Sequence, residues 1–206
     1  MEFRWIKQNN AAEAIVVFGG WAVGPEVFWH LDGPQDILFA GDYTDLNAEL
    51  PDLSGYSRVS VLAWSFGVAS YAHWQQGRAD VVFQRKAAVN GSLQPVNRGA
   101  GIPPAVFRRT METLSLESYQ DFLTRVFGAP QEAEPLDVPA RRAELLAVEQ
   151  RGDAPQMRFD KVWISSGDKI FPPANLARAW AGQNVTQIDA PHAPFGRFSQ
   201  WEELFQ

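Results

Sequence analysis

Residues 58–67 read Arg58-Val59-Ser60-Val61-Leu62-Ala63-Trp64-Ser65-Phe66-Gly67. The first six of them form a short strand-like run, and a helical pattern follows from Phe66 to Gln76. A tight turn between a strand and a helix needs small residues two before and two after its central serine, and Ala63 and Gly67 meet that need. The stretch therefore predicts a strand, a sharp turn that projects the Ser65 hydroxyl, and a helix.

Similar strand-like runs lie on both sides of this turn. Each ends at turn residues, and the five runs are Ala14–Phe18, Asp36–Ala40, Arg85–Val89, Lys161–Ser165 and Val185–Asp189. Several are almost continuously apolar, as in strands covered on both faces, and helical patterns such as 174–181 separate most of them. The alternation predicts an α/β fold with a mostly parallel, doubly wound sheet, and we expect His30 to lie on its first helix.

Residues 92–155 interrupt the alternation because they contain no strand-like run. Three helical stretches replace it, at about 105–113, 118–127 and 140–150, with prolines at the joints. So long a segment exceeds an ordinary crossover, which predicts a helical lid inserted into a core made of residues 1–91 and 156–206. A stack of crossover helices is the alternative.

Composition limits the classes of function. The chain of 206 residues is 46% hydrophobic and 13% aromatic, with a formal net charge of −6. An acidic chain with no basic stripe argues against nucleic-acid binding. There is no cysteine, which excludes disulfides and thiol catalysis. No apolar stretch is long enough to span a membrane, and the first residues lack the apolar run of a signal peptide, so we expect a cytoplasmic protein.

Two further residues are placed to work with Ser65. Asp168 follows the next-to-last predicted strand and His192 follows the last, so both emerge at the same carboxyl edge of the sheet as Ser65. The chain order of nucleophile, acid and histidine is that of a serine hydrolase with a Ser–His–Asp triad. Asp168 and His192 could each be ordinary loop residues, and Asp160 and Asp189 are the next candidates for the acid.

The loop Gly19-Gly20-Trp21 follows the strand that ends at Phe18. In such a fold this loop and the turn after the serine supply the two N–H groups of an oxyanion hole, here those of Trp21 and Phe66. A simple strand-ending turn is the alternative. His73 and His30 are better explained as structural residues, and the predicted chemistry needs no metal or cofactor.

At several motifs the sequence resembles a known family. The motifs are Gly19-Gly20-Trp21, Asp42-Tyr43-Thr44-Asp45-Leu46, Ala63-Trp64-Ser65-Phe66-Gly67-Val68, Asn90-Gly91-Ser92 and Asp168-Lys169-Ile170-Phe171-Pro172. They resemble the short pimeloyl-acyl-carrier-protein methyl ester esterases of biotin synthesis, which have the α/β-hydrolase fold. The resemblance implies a catalytic triad of Ser65, Asp168 and His192, and oxyanion amides from Trp21 and Phe66.

The resemblance also implies a partner, an acyl-carrier protein that bears a methyl-pimeloyl chain. Apolar side chains would hold the acyl chain, and arginines in the lid would meet the acidic carrier. The apolar candidates are Trp21, Phe66, Phe107, Leu114, Phe122 and Val126, and the arginines are Arg108, Arg109, Arg125, Arg141 and Arg142. Two alternatives remain: a generic small-ester or thioester hydrolase with the same triad, and a non-catalytic module that binds acyl carriers.

Overall fold

The computed structural model describes residues 1–78, 81–132 and 135–206. Its strands are β1 (Glu2–Lys7), β2 (Glu13–Phe18), β3 (Asp36–Gly41), β4 (Arg58–Trp64), β5 (Arg85–Val89), β6 (Lys161–Ser165) and β7 (Val185–Ile188). Its α-helices are α1 (Phe66–Gln75), α2 (Pro104–Glu112), α3 (Leu116–Phe127), α4 (Val138–Arg151) and α5 (Pro173–Ala179). Short 3-10 helices span Pro25–Phe28, Phe195–Arg197 and Trp201–Phe205.

Within these described ranges, the strands form one seven-stranded sheet in the order β1-β3-β2-β4-β5-β6-β7. All neighbouring pairs are parallel except β1 with β3, which is antiparallel. Strand β1 was not predicted from the sequence. This edge strand alternates exposed and half-buried residues, whereas the strands predicted from the sequence have the continuous apolar runs of central strands.

Both faces of the sheet are covered, as predicted, but by different kinds of structure. Phe18 lies in register with the residue before Trp64, so the two side chains point to opposite faces. Phe18 packs on Tyr71 of α1, with ring centroids 5.1 Å apart. Trp64 packs instead on Phe28 and Phe195 of the 3-10 helices, at 6.2 and 5.2 Å. Aromatic side chains on short turns therefore cover the face opposite α1.

The expectation that His30 lies on a first α-helix was wrong. Between β2 and β3 the chain forms only the 3-10 helix Pro25–Phe28, and His30 lies in the turn after it. Its Nε2 lies 2.9 Å from the carbonyl oxygen of Phe195, so His30 joins two of the short segments that cover the sheet. This position agrees with the structural role expected for it.

Helices α2, α3 and α4 lie between β5 and β6 in the chain, where the helical insertion was predicted. Helix α3 is the most clearly delimited of them. The Ser115 and Ser118 side chains form a capping box at its start, and Gly128 ends it with a φ of 77°. Its buried face includes Leu123 and Val126. No helix among the described residues is long and apolar enough to cross a membrane.

Candidate active site

Ser65 occupies a strained turn between β4 and α1. Its φ of 59° lies in the left-handed region, which non-glycine residues seldom adopt. Close backbone contacts hold the turn, because a Cβ on Gly67 would lie 2.2 Å from the Phe18 carbonyl oxygen. Ala63 is fully buried two residues before the serine. Backbone packing at the turn therefore requires the glycine at position 67.

The structure brings Ser65, His192 and Asp168 together in one hydrogen-bonded chain. His192 Nε2 lies 3.0 Å from Ser65 Oγ, and His192 Nδ1 lies 2.8 Å from Asp168 Oδ2. An ionised carboxylate can only accept, so Nδ1–H donates to Asp168 and Nε2 is left to accept from the serine hydroxyl. All three residues are buried. The arrangement is suited to removing the proton from Ser65 as the serine attacks a carbonyl carbon.

Two backbone amides fix the carboxylate of Asp168. Its Oδ1 accepts from Ile170 N at 2.7 Å and from Phe171 N at 3.0 Å. The Phe171 ring in turn stacks on the His192 imidazole, with ring planes 7° apart. The loop after β6 therefore orients both the acid and the ring that the acid holds.

The other candidate acids and bases lie away from the Ser65 hydroxyl. Asp189 Oδ1 lies 3.4 Å from Ser166 Oγ, and Asp160 accepts from the backbone N–H of Lys86. His73 lies near the end of α1 and contacts the Gly152 carbonyl oxygen at 3.3 Å, where burial lowers its pKa. Neither carboxylate replaces Asp168 beside His192.

Trp21 lies at the end of the glycine loop that follows β2. Its indole Nε1 donates to the Arg141 carbonyl oxygen at 3.0 Å, and its ring packs edge-on against Phe122 at 5.0 Å. The Trp21 backbone N–H has no acceptor among the described residues. Phe66 is the first residue of α1, where backbone N–H groups have no partner within the helix. Both amides are thus available to a ligand.

A small cavity of about 40 Å³ lies beside Ser65. Its apolar walls include Trp21, Phe66, Phe107 and Phe122. A groove of about 810 Å³ lies between α2 and α3 and includes Leu114. The cavity and the groove have several lining residues in common: Val106, Thr110, Phe122 and Arg125. Of the apolar residues expected to hold an acyl chain, only Val126 lines neither space. It is buried, and its carbonyl oxygen accepts from Ala193 N.

Residues 1–204 match the family model described as Pimeloyl-ACP methyl esterase BioG. The chain belongs to this family. The crystal structure of BioG from Haemophilus influenzae superposes on it with a TM-score of 0.89 and 30% identity, covering 100% of both chains. An uncharacterized protein of Haemophilus influenzae is 34% identical and covers 93% of each chain. These findings confirm the α/β-hydrolase fold and the family resemblance.

As a BioG family member, the protein is a serine hydrolase that cleaves the methyl ester of pimeloyl-acyl-carrier protein in biotin synthesis. It is also 31% identical over 197 residues to a malonyl-[acyl-carrier protein] O-methyltransferase of Bacteroides fragilis. That match covers 87% of this chain but only 39% of the methyltransferase. Both the family and this relative are therefore named for a substrate carried on an acyl-carrier protein.

The five arginines that were expected to meet a carrier differ in their surroundings. Arg141 is bound within the protein, because it pairs with buried Glu144 at 2.6 Å and reaches Asp42 at 3.5 Å. Burial raises the pKa of Glu144 to about 6, and Arg141 and the Tyr43 N–H oppose that shift. Arg141 therefore stabilises a buried carboxylate within the protein, whereas its expected contact with a carrier stays a prediction.

The remaining four arginines differ in the contacts that their side chains make. Arg142 donates to the carbonyl oxygens of Met111 and Leu114 after α2. Arg108 pairs with Glu149 at 3.0 Å. Arg109 and Arg125 line the groove between α2 and α3, and Arg125 also reaches the cavity beside Ser65. Lys169 lines the same cavity, so these three cations lie along the groove and the cavity that lead to Ser65.

Proposed function

We propose that Ser65, His192 and Asp168 are the catalytic residues of this methyl ester hydrolysis. The observation that carries the proposal is the buried chain of hydrogen bonds from Asp168 through His192 to Ser65. Ser65 Oγ attacks the ester carbonyl carbon while its proton passes to His192 Nε2. Asp168 stabilises the resulting imidazolium and holds the ring in place. The negative charge develops on the carbonyl oxygen.

The backbone N–H groups of Trp21 and Phe66 are proposed to donate to that oxygen. Methanol then leaves with the proton held on His192 Nε2, and the acyl group remains as an ester on Ser65. Water attacks this acyl-enzyme, again giving its proton to His192. The free carboxylic acid leaves and Ser65 recovers its proton, so one ester and one water give one acid and one methanol.

The sizes of the two spaces suggest how the substrate lies. The cavity beside Ser65, at about 40 Å³, accommodates only a small group, whereas the neighbouring groove measures about 810 Å³. We place the methyl ester in the cavity and the acyl chain along the groove between α2 and α3. In this arrangement the helices of residues 92–155 act as a lid, and the thioester to the carrier stays away from Ser65.

The carrier protein itself would dock at the outer end of this groove, beside Arg109, while Arg125 lies where the groove joins the cavity. Acyl-carrier proteins are acidic, so cations at this rim would favour their approach. This arrangement would bind a carrier that bears a methyl-pimeloyl chain as the substrate. Biotin precursor synthesis uses such a carrier in the cytoplasm, which is where we place the protein.

A fluorophosphonate provides the direct test of the proposed nucleophile. It reacts with an activated serine, and we expect mass spectrometry to find one adduct, on the peptide that contains Ser65. Prior denaturation should abolish the labelling, because activation depends on the folded contact with His192. An adduct on another serine, or none in an active preparation, would contradict the assignment.

Reversing the charge of Arg109 should separate carrier docking from chemistry. In Arg109→Glu we expect kcat/KM for the carrier-bound methyl ester to fall about tenfold, and further at low salt, where charges are less screened. Turnover of p-nitrophenyl acetate should stay within twofold, because that ester needs no carrier. Steady-state kinetics with both substrates give the ratio.

Arg158→Glu is the matched control, since Arg158 is exposed before β6 at the opposite edge of the sheet from Ser65. It should leave both substrates unaffected. Equal losses with both substrates in Arg109→Glu would show that Arg109 supports the helices instead. No loss with either would place the carrier elsewhere.

A further inference from the structure

Asn90 lies directly after β5 in an unusual backbone conformation. It is buried, and its φ of 43° lies in the left-handed region, which asparagine tolerates better than most residues. Its backbone N–H donates to the Trp163 carbonyl oxygen at 3.0 Å. This position holds no carboxylate, and the mechanism described above gives Asn90 no role.

The Asn90 side chain joins the strand that precedes the acid to the loop that carries the base. Its Oδ1 accepts from Ser165 N at 2.7 Å, and its Nδ2 donates to Ser165 Oγ at 2.7 Å. The same Nδ2 donates to the His192 carbonyl oxygen at 2.8 Å. Ser165 ends β6, and its own carbonyl oxygen accepts from Asp168 N. One amide therefore contacts the main chain on both sides of the His192–Asp168 pair.

The residues that flank Asn90 contact the third member of the site. Val89 accepts a hydrogen bond from Ser65 N at 3.0 Å. A Cβ on Gly91 would lie 2.3 Å from the Ser65 carbonyl oxygen, so the two backbones touch there. The end of β5 thus forms a common support for all three loops.

We infer that Asn90 is a positioning residue that sets the distance of the His192 imidazole from Ser65 by holding the His192 main chain. His192 lies in a loop after β7, so the position of its imidazole depends on the position of the loop backbone. Its carbonyl oxygen has a second donor, Trp64 Nε1 at 3.1 Å. Asn90 is the donor that also binds the strand leading to the acid. The inference rests on the proposed catalytic role of His192.

The first test is Asn90→Gly, because glycine adopts the positive φ without strain. We expect kcat for p-nitrophenyl acetate to fall ten- to hundredfold with KM within twofold, since small displacements of a catalytic group have effects of this size. The rate constant for fluorophosphonate labelling of Ser65 should fall by the same factor. Ser165→Ala is the matched control: it removes one partner of Asn90 but keeps the bond to His192, so kcat should stay within threefold.

Asn90→Asp is the second variant and keeps the size of the side chain. One carboxylate oxygen can still accept from Ser165 N, while the other would face the His192 carbonyl oxygen, which is also an acceptor. We expect a loss of kcat at least as large as in Asn90→Gly, measured well below the thermal midpoint, with circular dichroism unchanged.

Two kinetic results would overturn the inference: kcat within threefold of wild type in a folded Asn90 variant, or a loss in Ser165→Ala equal to that in the Asn90 variants. Failure of both Asn90 variants to fold would also overturn it, because Asn90 would then be needed for the fold alone. Wild type and Ser65→Ala in the same assay keep this test separate from the proposed function. If Ser65→Ala retains activity, the catalytic assignment fails, whatever the Asn90 variants do.

Discussion

Ser65→Ala should lower kcat/KM for the carrier-bound methyl ester by about 10⁴–10⁶-fold while leaving the fold intact. Alanine keeps the Cβ and loses only the oxygen that His192 contacts at 3.0 Å, so the turn at φ 59° is no more strained than before. Without the nucleophile, only the oxyanion amides and binding remain to assist direct attack by water. Release of methanol and of the free acid measures the loss.

Ser70→Ala is a suitable control for this change. It makes the same substitution at a buried serine farther along α1 and should retain activity within a few-fold. The thermal midpoints of both variants should show that they are folded at the assay temperature. Activity of Ser65→Ala within tenfold of wild type would remove Ser65 from the mechanism.

Asp168→Asn should lower kcat by about 10⁴-fold, because of the way the Asp168 loop holds the side chain. The Ile170 and Phe171 amides donate to Oδ1, so an asparagine will keep its oxygen there and turn its NH₂ group toward His192. His192 Nδ1 must then accept, which puts the ring proton on Nε2. In that tautomer Nε2 cannot take the proton of Ser65.

The pH profile and a second carboxylate variant complete this test. At high pH the rate of Asp168→Asn should stay low, since the defect lies in the tautomer of a neutral ring. Asp189→Asn removes a carboxylate whose one hydrogen-bond partner among the described residues is the Ser166 hydroxyl, and it should keep near-normal kcat. A normal rate in Asp168→Asn with a large loss in Asp189→Asn would transfer the role of the acid to Asp189.

The features that could be predicted from the sequence are those set by local backbone geometry and by the direction of the strands. The turn at Ser65 demands small neighbours, and this demand appears directly in the sequence as Ala63 and Gly67. Parallel strands place their carboxyl ends at one edge, so residues that follow β4, β6 and β7 were expected to meet. The structure shows Ser65 and Asp168 each within hydrogen-bond distance of His192, which lies between them.

The features that were missed depend on contacts distant in the chain. Nothing near Glu144 in sequence shows that it is buried beside Tyr43, so Arg141 was assigned to the surface. The role of Asn90 depends in the same way on partners 75 and 102 residues away. One local signal was available for Asn90: asparagine directly before glycine at the end of a strand suggests a left-handed turn.

The hydrogen bond from Ala193 N to the Val126 carbonyl oxygen, at 2.9 Å, bears on how substrate preference could be redesigned. It ties the residue after His192 to the last turn of α3, and Gly128 lies close to Pro191 in the same contact. The end of α3 therefore supports the loop that carries His192, although it lies in the segment expected to determine substrate specificity. A chimaera that imports the helices of a relative should keep residues 126–128 from the recipient. Without them, the chimaera would lose the contacts that hold the His192 loop as well as changing the substrate specificity.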